Sequence, residues 1–473
     1  MSVPVITVAQ MREWEKATWA TGQTEAEVIR RVGKRIAKRA RKLTRSGNAI
    51  LILAGKGNNG ADARAAAEFP DDRQLEVLNV TSPESDVPKL QELLLRGKFA
   101  LIIDGLFGVG LNRPLDEHWQ KLISTVNQSK VPVLAVDAPS GLNCDTGLPE
   151  GDVAVEAALT LTVGAPKAGM LAQSAWPFVG RLEVLEDIGL VPCPATLTSE
   201  CVWTFADDFE QYPPRRAEAG HKGLHGHVSI MAGSLGYHGA SVLAARAAQR
   251  AQPGLITLFT DDSVYPVVAP QLQAVMAGIF RPDMKLPEST SGVLIGPGMH
   301  APGIADAMRR TVQRIWRDLP VPVVVDASAL DLLASMVLPK APRVITPHPG
   351  EAARMLNSTT KQVQADRPRA LRDLSKRFGN CWVVLKGHQT LVGTKDGEIY
   401  VNSSGNPFLG QGGSGDVLSG YIAGLLAQPA LQADIFKTIR YAVWQHGATA
   451  DVLQEKEKVW VTEDLVANLG DGR

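Results

Sequence analysis

Cysteine is scarce in this chain. Cys144, Cys193, Cys201 and Cys381 are the only four in 473 residues, and no two of them form a CxxC pair. They are too few for a disulfide framework, and a reducing compartment is expected. Net charge is missing too: Lys+Arg and Asp+Glu both number 49, which argues against broad binding to nucleic acid or to a membrane surface. No stretch of roughly 18 apolar residues occurs, the length that a membrane span requires. The opening residues, MSVPVITVAQMREWEK, have neither a basic segment nor a long apolar core. A signal peptide is therefore not expected, and a cytoplasmic location is. Short repeats and low-complexity segments are also lacking. What the chain has in quantity is apolar side chain, 45% of all residues, enough for large cores. Its length points to two domains.

Strand-like runs alternate with helical ones almost throughout. In the first half they are AILILAG from Ala49, LEVLNV from Leu75, ALIIDG from Ala100, VPVLAVD from Val131, ALTLTVG from Ala158 and RLEVLE from Arg181. A leading helix, its Arg and Lys toward water, is expected over 25–43. In the second half the runs are HVSIMAG from His227, LITLFT from Leu255, VLIGPG from Val293, PVVVDAS from Pro322, RVITPHPGE from Arg343 and CWVVLKG from Cys381, followed by the hairpin TLVGTKDGEIYVN. Continuous Val/Ile/Leu strands with helical crossovers predict parallel sheets buried on both faces. The proline-rich segment 191–216 interrupts the alternation and reads as the linker. The expected architecture is α/β, with two doubly wound domains over 1–205 and 206–473.

The stretch GNPFLGQGGSGDVLSGYIAGLL starts at Gly405 and carries five glycines up to Gly415, then Asp416, then an apolar run with helical spacing. Glycine lets backbone N–H groups crowd toward one point. The first turn of the next helix adds unpaired N–H groups and the positive end of its dipole. Together these make an anion site suited to a phosphate. Asp416 stands where it could take a proton from a hydroxyl approaching that phosphate; by itself it would be read as an N-cap. Four further strand ends carry polar or glycine-rich turns: GSLGYHGA at 233–240, GPGM at 296–299, TPHPGE at 346–351 and KGHQT at 386–390. Such a series is what a ligand crevice at the carboxyl edge of an open sheet requires. His221, His225 and His227 lack a ligand set at zinc spacing, so no metal is expected there.

Taken in order, HKGLHGHVSIMAGS, GASVLAARAAQRAQPGLITL, GPGM, VVVDASALDLL, TPHPGEAARML, VVLKGHQTLV and the GSGD segment resemble the ADP-dependent NAD(P)H-hydrate dehydratases of the ribokinase-like superfamily. The likeness covers residues 210–470. It implies that Lys386, Gly387, His388, Gln389, Thr390 and Gly415 line an adenine-nucleotide site. It also implies that Ala240, Gly298, His348 and Asp416 contact a hydrated nicotinamide nucleotide, with Asp416 catalytic. ADP is the implied co-substrate, yielding AMP and phosphate, and Mg2+ is expected on the phosphates.

In the first half, GKGNNGAD at 55–62, DGLFGVGLNRP at 104–114 and VDAPSG at 136–141 each follow a strand. Their amide, carboxylate and hydroxyl oxygens suit a hard or alkali cation better than zinc. Taken singly, each would be a cap or turn. This half resembles the Rossmann-like NAD(P)H-hydrate epimerase domain. The resemblance implies that Asn59, Asp104 and Ser140 hold K+. It assigns Asn58, Asn59, Gly60, Ala61 and Asp62, the loop Gly108, Val109, Gly110, Leu111, Asn112, Arg113 and Pro114, and Asp137 to the substrate, with Asp137 catalytic. The family usually reads NNGGDG where this chain has NNGADA, so Ala61 and Ala63 replace glycines. At positions needing φ > 0 each methyl would cost on the order of 1 kcal/mol, and a methyl facing the ligand could block it. The leading-helix stretch VIRRVGKRIAK also lacks the acidic-and-small pattern of the family.

The implied activity is repair of NADHX and NADPHX, by epimerisation of the R and S forms and ADP-dependent dehydration of the S form. The resemblance also implies a homo-oligomer, with no nucleic acid or membrane partner. Two alternatives stay open at this point: a ribokinase-like small-molecule kinase, and an active dehydratase beside a non-catalytic binding domain.

Overall fold

Six apolar runs of the first half form one sheet in which every neighbouring pair is parallel. The order across it is Gln74–Asn79, Ala49–Ala54, Phe99–Gly105, Val133–Val136, Leu159–Val163 and Arg181–Leu185. Ala49–Ala54 and Phe99–Gly105 lie inside it and are almost wholly buried, as their unbroken apolar sequences require. The chain turns back on itself at Ala49–Ala54, which places a crevice at the carboxyl ends of these central strands. The computed structural model describes residues 2–69, 72–299, 306–335, 339, 341–456 and 459–470. It divides into two compact units, Val3–Trp203 and Thr204–Arg473.

Glu25–Leu43 is the expected leading helix. A Thr24–Glu27 capping box starts it, and Val28, Val32, Ile36, Ala37 and Ala40 form its buried stripe. It packs on a second helix, Asn58–Ala66. Val3–Pro4 and Cys201–Trp203, neither visible as a strand in the sequence, pair antiparallel in this unit.

Among the described residues the second unit carries nine strands in the order Ile399–Val401, Leu391–Gly393, Trp382–Leu385, Arg343–Ile345, Val323–Val325, Gly292–Ile295, His227–Met231, Leu255–Thr260 and Met276–Ile279. The last seven run parallel, and the expected hairpin adds the two antiparallel strands at the other edge. The turning point is His227–Met231, so the loops after Ile295, Val325, Ile345 and Leu385 all open on one edge. Helices Ser414–Leu426 and His238–Arg250 pack together closely. A Cβ on Gly420 would lie 2.3 Å from the Ala244 carbonyl oxygen, so only glycine permits that approach. Among the described residues, no helix is long and apolar enough to cross a membrane.

Candidate active sites

In the second unit the GSGD segment sits as its chemistry demands. Gly413, at φ +88°, caps the Ser414–Leu426 helix, so Gly415 and Asp416 fall in the first turn. The Lys386 ammonium lies beside them: a Cβ on Gly415 would be 3.2 Å from it. Lys386 donates to Asp326 Oδ1 at 2.7 Å and comes within 4.0 Å of Glu351 Oε2. Burial works against its charge, but Asp326 and Glu351 prevail and raise its pKa. Burial, then Asp326, push the Asp416 carboxyl up to about 7 despite the opposing pull of Lys386. An aspartate titrating near neutrality at a helix N-terminus is suited to take a proton.

His348 caps the Pro349–Leu356 helix. Its Nδ1 accepts the Gly350 N–H at 3.0 Å and the Glu351 N–H at 3.3 Å, while Glu351 returns a bond to the His348 N–H at 2.7 Å. With Nδ1 an acceptor, the ring's N–H is on Nε2, which lies 3.6 Å from Glu351 Oε1. Gly298 and Ala240 meet: a Cβ on Gly298 would stand 2.9 Å from the Ala240 Cβ. The 386–390 loop is braced by buried Arg367, which donates to the carbonyls of His388 at 2.5 Å and Leu385 at 3.2 Å. Thr390 Oγ1 closes the loop onto the Gly387 carbonyl at 3.1 Å, and both amide atoms of Gln389 are buried without a partner. The His348 ring is held against Glu351, and no hydrogen bond joins it to Asp416 among the described residues. Asp326, Glu351 and Arg367 were not singled out from the sequence, although VVVDAS and TPHPGE contained the first two.

His227, from the histidine cluster, is buried with Nδ1 2.8 Å from Ser289 Oγ and Nε2 2.8 Å from Thr257 Oγ1.

In the first unit the GKGNNGAD segment leaves its strand and, from Asn58 on, forms the first turns of the helix Asn58–Ala66. A Cβ on Gly60 would fall 2.0 Å from the Gly55 carbonyl oxygen. Ala61 and Ala63 therefore have right-handed helical backbone, and neither is among the residues with positive φ. The strain expected of them does not arise. Ala63 is fully buried, and its methyl lies where a Cβ on Gly105 would approach within 2.4 Å, so it packs on the sheet.

Asp104 and Ser140 are joined. Asp104 Oδ1 accepts the Ser140 hydroxyl at 2.6 Å and Oδ2 its N–H at 2.9 Å; the Phe107 N–H donates to Ser140 Oγ at 2.8 Å. Burial pushes the Asp104 carboxyl up to about 6. The Asn59 amide is buried with neither polar atom satisfied. It lies against the same turn, since a Cβ on Gly108 would be 3.2 Å from its Cγ. An orphaned carbonyl beside a carboxylate and a hydroxyl fits an oxygen-liganded cation.

Asp137 follows the strand Val133–Val136 at φ +58°. Its Oδ1 accepts from the wholly buried Lys167 Nζ at 2.8 Å, from the Val163 N–H at 3.0 Å and from Thr162 Oγ1 at 3.3 Å. Asp62 is pushed up to about 8 by burial first, then by Asp137, Glu15 and Glu25. Burial, then Asp137, raise Glu15 as well. Asn58 donates to Glu25. The loop of Val109, Gly110, Leu111, Asn112, Arg113 and Pro114 follows the same strand edge and is largely exposed. None of its described residues bonds to Asp137. Lys167, Glu15 and Glu25 had gone unnoticed in the sequence, where a buried lysine looks like any other.

Fold and sites together define a two-unit α/β enzyme with a separate polar site at the carboxyl edge of each parallel sheet. A family model described as NAD(P)H-hydrate dehydratase matches residues 228–469, and one described as YjeF-related protein N-terminus matches residues 71–169. The bifunctional NAD(P)H-hydrate repair enzyme Nnr of Coxiella burnetii is 32% identical over 487 residues, covering 97% of each chain. That of Escherichia coli is 32% identical over 462 residues, covering 91% of this chain and 86% of its own. The ADP/ATP-dependent NAD(P)H-hydrate dehydratase of Bacillus subtilis, co-crystallised with ATP/Mg2+, is 29% identical and covers 55% of this chain and 92% of its own, with a TM-score of 0.49. The chain belongs to the family of bifunctional NAD(P)H-hydrate repair enzymes.

Proposed function

We propose that this chain restores NADHX and NADPHX to NADH and NADPH. Residues 206–473 are assigned to dehydration of the S epimer and residues 1–205 to interconversion of R and S. The observation that carries the reading is Asp416, a carboxyl titrating near neutrality in the first turn of a glycine-preceded helix, beside half-buried Lys386. Asp416 takes the proton of the C6 hydroxyl as its oxygen attacks the terminal phosphoryl of ADP. The oxygen–phosphorus bond forms and AMP leaves. The first-turn N–H groups, Gly415 among them, hold the transferring oxygens. The ring-nitrogen lone pair then expels phosphate from C6, and loss of a C5 proton restores the double bond. His348 Nε2–H, Gly298 and Ala240 position the nicotinamide part; the 386–390 loop and Lys386 hold the nucleotide. A magnesium ion carried on the phosphate oxygens would offset their charge.

In the first unit Asp137 moves a proton while Asn58, Gly60, Ala61, Asp62 and the 108–114 loop hold the substrate. A potassium ion on Asn59, Asp104 and Ser140 would supply a fixed positive charge there. The test is a mixed R/S NADHX preparation incubated with the protein, Mg2+, K+ and either ADP or ATP, following the absorbance of reduced nicotinamide. Near-complete recovery is expected, with ADP the better donor. Recovery that stalls when the S epimer is spent would leave the first unit without its activity, and no recovery with either nucleotide would overturn the reading.

A further inference from the structure

The first site holds more titratable side chains than one acid/base residue requires. Four carboxyls, of Glu15, Glu25, Asp62 and Asp137, bear on one another there. Lys167 faces Asp137 and Glu15, Arg12 faces Glu15, and the buried Cys144 thiol lies near Asp137 and Lys167. Within this group Lys167 is committed to one partner. Its wholly buried Nζ donates to Asp137 Oδ1 at 2.8 Å, Thr162 Oγ1 at 2.8 Å and the Val163 carbonyl at 2.9 Å. All the donors to Asp137 converge on Oδ1, and no hydrogen bond from the described residues reaches Oδ2. One oxygen is clamped and the other is free for a substrate.

Asp62 stands in the opposite situation. It lies four residues beyond Asn58 on one helix, hence on the same face, and Asn58 is bonded to Glu25. That helix packs against Val133–Val136, the strand that Asp137 follows. The charged side chains that act on Asp62 among the described residues are the carboxyls of Asp137, Glu15 and Glu25. The half-buried Asp62 carboxyl keeps its proton up to about pH 8. A carboxyl set among acids can donate a proton, and one that accepts from an ammonium can receive one.

Resting on the epimerase reading of this unit, we propose that Asp62 is the proton donor and Asp137 the proton acceptor of the epimerisation, with Lys167 the positioning residue that keeps Asp137 in that role. From the R epimer, Asp62 gives its proton to the C6 hydroxyl oxygen. The C6–O bond breaks, water leaves, and the ring-nitrogen lone pair becomes the second bond to C6. Water adds to the other face of C6, its oxygen pair forming the new C6–O bond. The C=N pair returns to nitrogen and Asp137 takes the surplus proton. The net change on the protein is one proton moved from Asp62 to Asp137, which exchange with solvent resets.

The test follows R-to-S conversion of NADHX chromatographically on the full chain without nucleotide. Dehydration of the S epimer with ADP is measured on the same preparations. Wild-type protein must epimerise above the spontaneous rate; if it does not, the epimerase reading itself fails and the proposal with it. Given that activity, Asp62→Asn is expected to lower kcat for epimerisation by ~10²–10⁴-fold, with KM within about threefold and S-epimer dehydration unchanged. Asp62→Glu recovers at least about tenfold of that loss, and Lys167→Gln lowers kcat by at least about tenfold. The wild-type rate, which depends on no variant folding, falls above about pH 8 as Asp62 ionises. An Asp62→Asn protein with wild-type kcat, a loss confined to KM, or a wild-type profile flat above pH 8 overturns the proposal.

Discussion

Each unit holds a lysine–carboxylate pair at the carboxyl edge of its sheet, yet the pair plays a different part in each. In the second unit Lys386 is bonded to Asp326, and the proposed base, Asp416, stands beside the pair. In the first unit Lys167 is bonded to the proposed base itself, Asp137, and the bystander is Asp62. The bystander is the carboxyl that is pushed up, to about 7 for Asp416 and about 8 for Asp62. One buried ammonium can satisfy one carboxylate; the next one in pays for burial and like charge. Whether a site acquires a near-neutral base or a protonated acid thus depends on which of its carboxyls the lysine reaches.

The comparison breaks most visibly if the two units do not act separately. Asp416→Asn is expected to lower dehydration of the S epimer by ~10²–10⁴-fold, with epimerisation and nucleotide binding, by calorimetric titration, retained. Asp137→Asn is expected to do the reverse, losing epimerisation by a similar factor while S-epimer dehydration stands. Loss of both activities in either variant would refute independent sites, and a near-normal rate would refute the assignment of that base.

The pH dependence separates the sites next. Asp416 must be ionised to take a proton, so S-epimer dehydration should rise about tenfold per unit below about pH 7 and level off above it. A plateau extending down to pH 5 would show that Asp416 is not the base. A smaller effect belongs to Gly298, where φ is +63° and a Cβ would meet the Tyr237 carbonyl oxygen at 2.5 Å. Gly298→Ala should cost on the order of 1–2 kcal/mol in the second unit and raise KM for the S epimer severalfold, with R-to-S conversion unaffected.

Much of this was legible in the sequence. Unbroken Val/Ile/Leu runs located all the long parallel strands, and the glycine-rich segments do follow strands at the carboxyl edge of each sheet. Met276–Ile279 escaped because MAGI is short and only half-buried, and Cys201–Trp203 because prolines surround it. The positions of Ala61 and Ala63 were misjudged because the segment reads as a loop, whereas its helix begins at Asn58. The partners of the reacting groups were the least legible. Lys167 lies 30 residues from Asp137 and Asp326 60 from Lys386, and only the folded sheet brings such groups to one edge.

The smallest effect bears most directly on the two bystanders. An aspartate whose folded pKa lies above its unfolded value of 3.8 keeps a proton in the native state that the unfolded chain has released. Stability is then present in full below about pH 4 and falls as pH rises, until the native carboxyl ionises near 8 for Asp62 and near 7 for Asp416. Asparagine has no charge to bury, so Asp62→Asn and Asp416→Asn should each raise Tm above pH 8 while abolishing one activity, by about 2–4 °C for every kcal/mol regained. Asp62→Asn should gain more, because three carboxyls act on Asp62 and no side-chain cation of the described residues offsets them, whereas Lys386 already offsets part of the cost at Asp416. Both gains should vanish near pH 4. Calorimetry of the full chain at the two pH values decides it: equal gains, or gains that persist in acid, would mean that the lysine placement does not distinguish the sites.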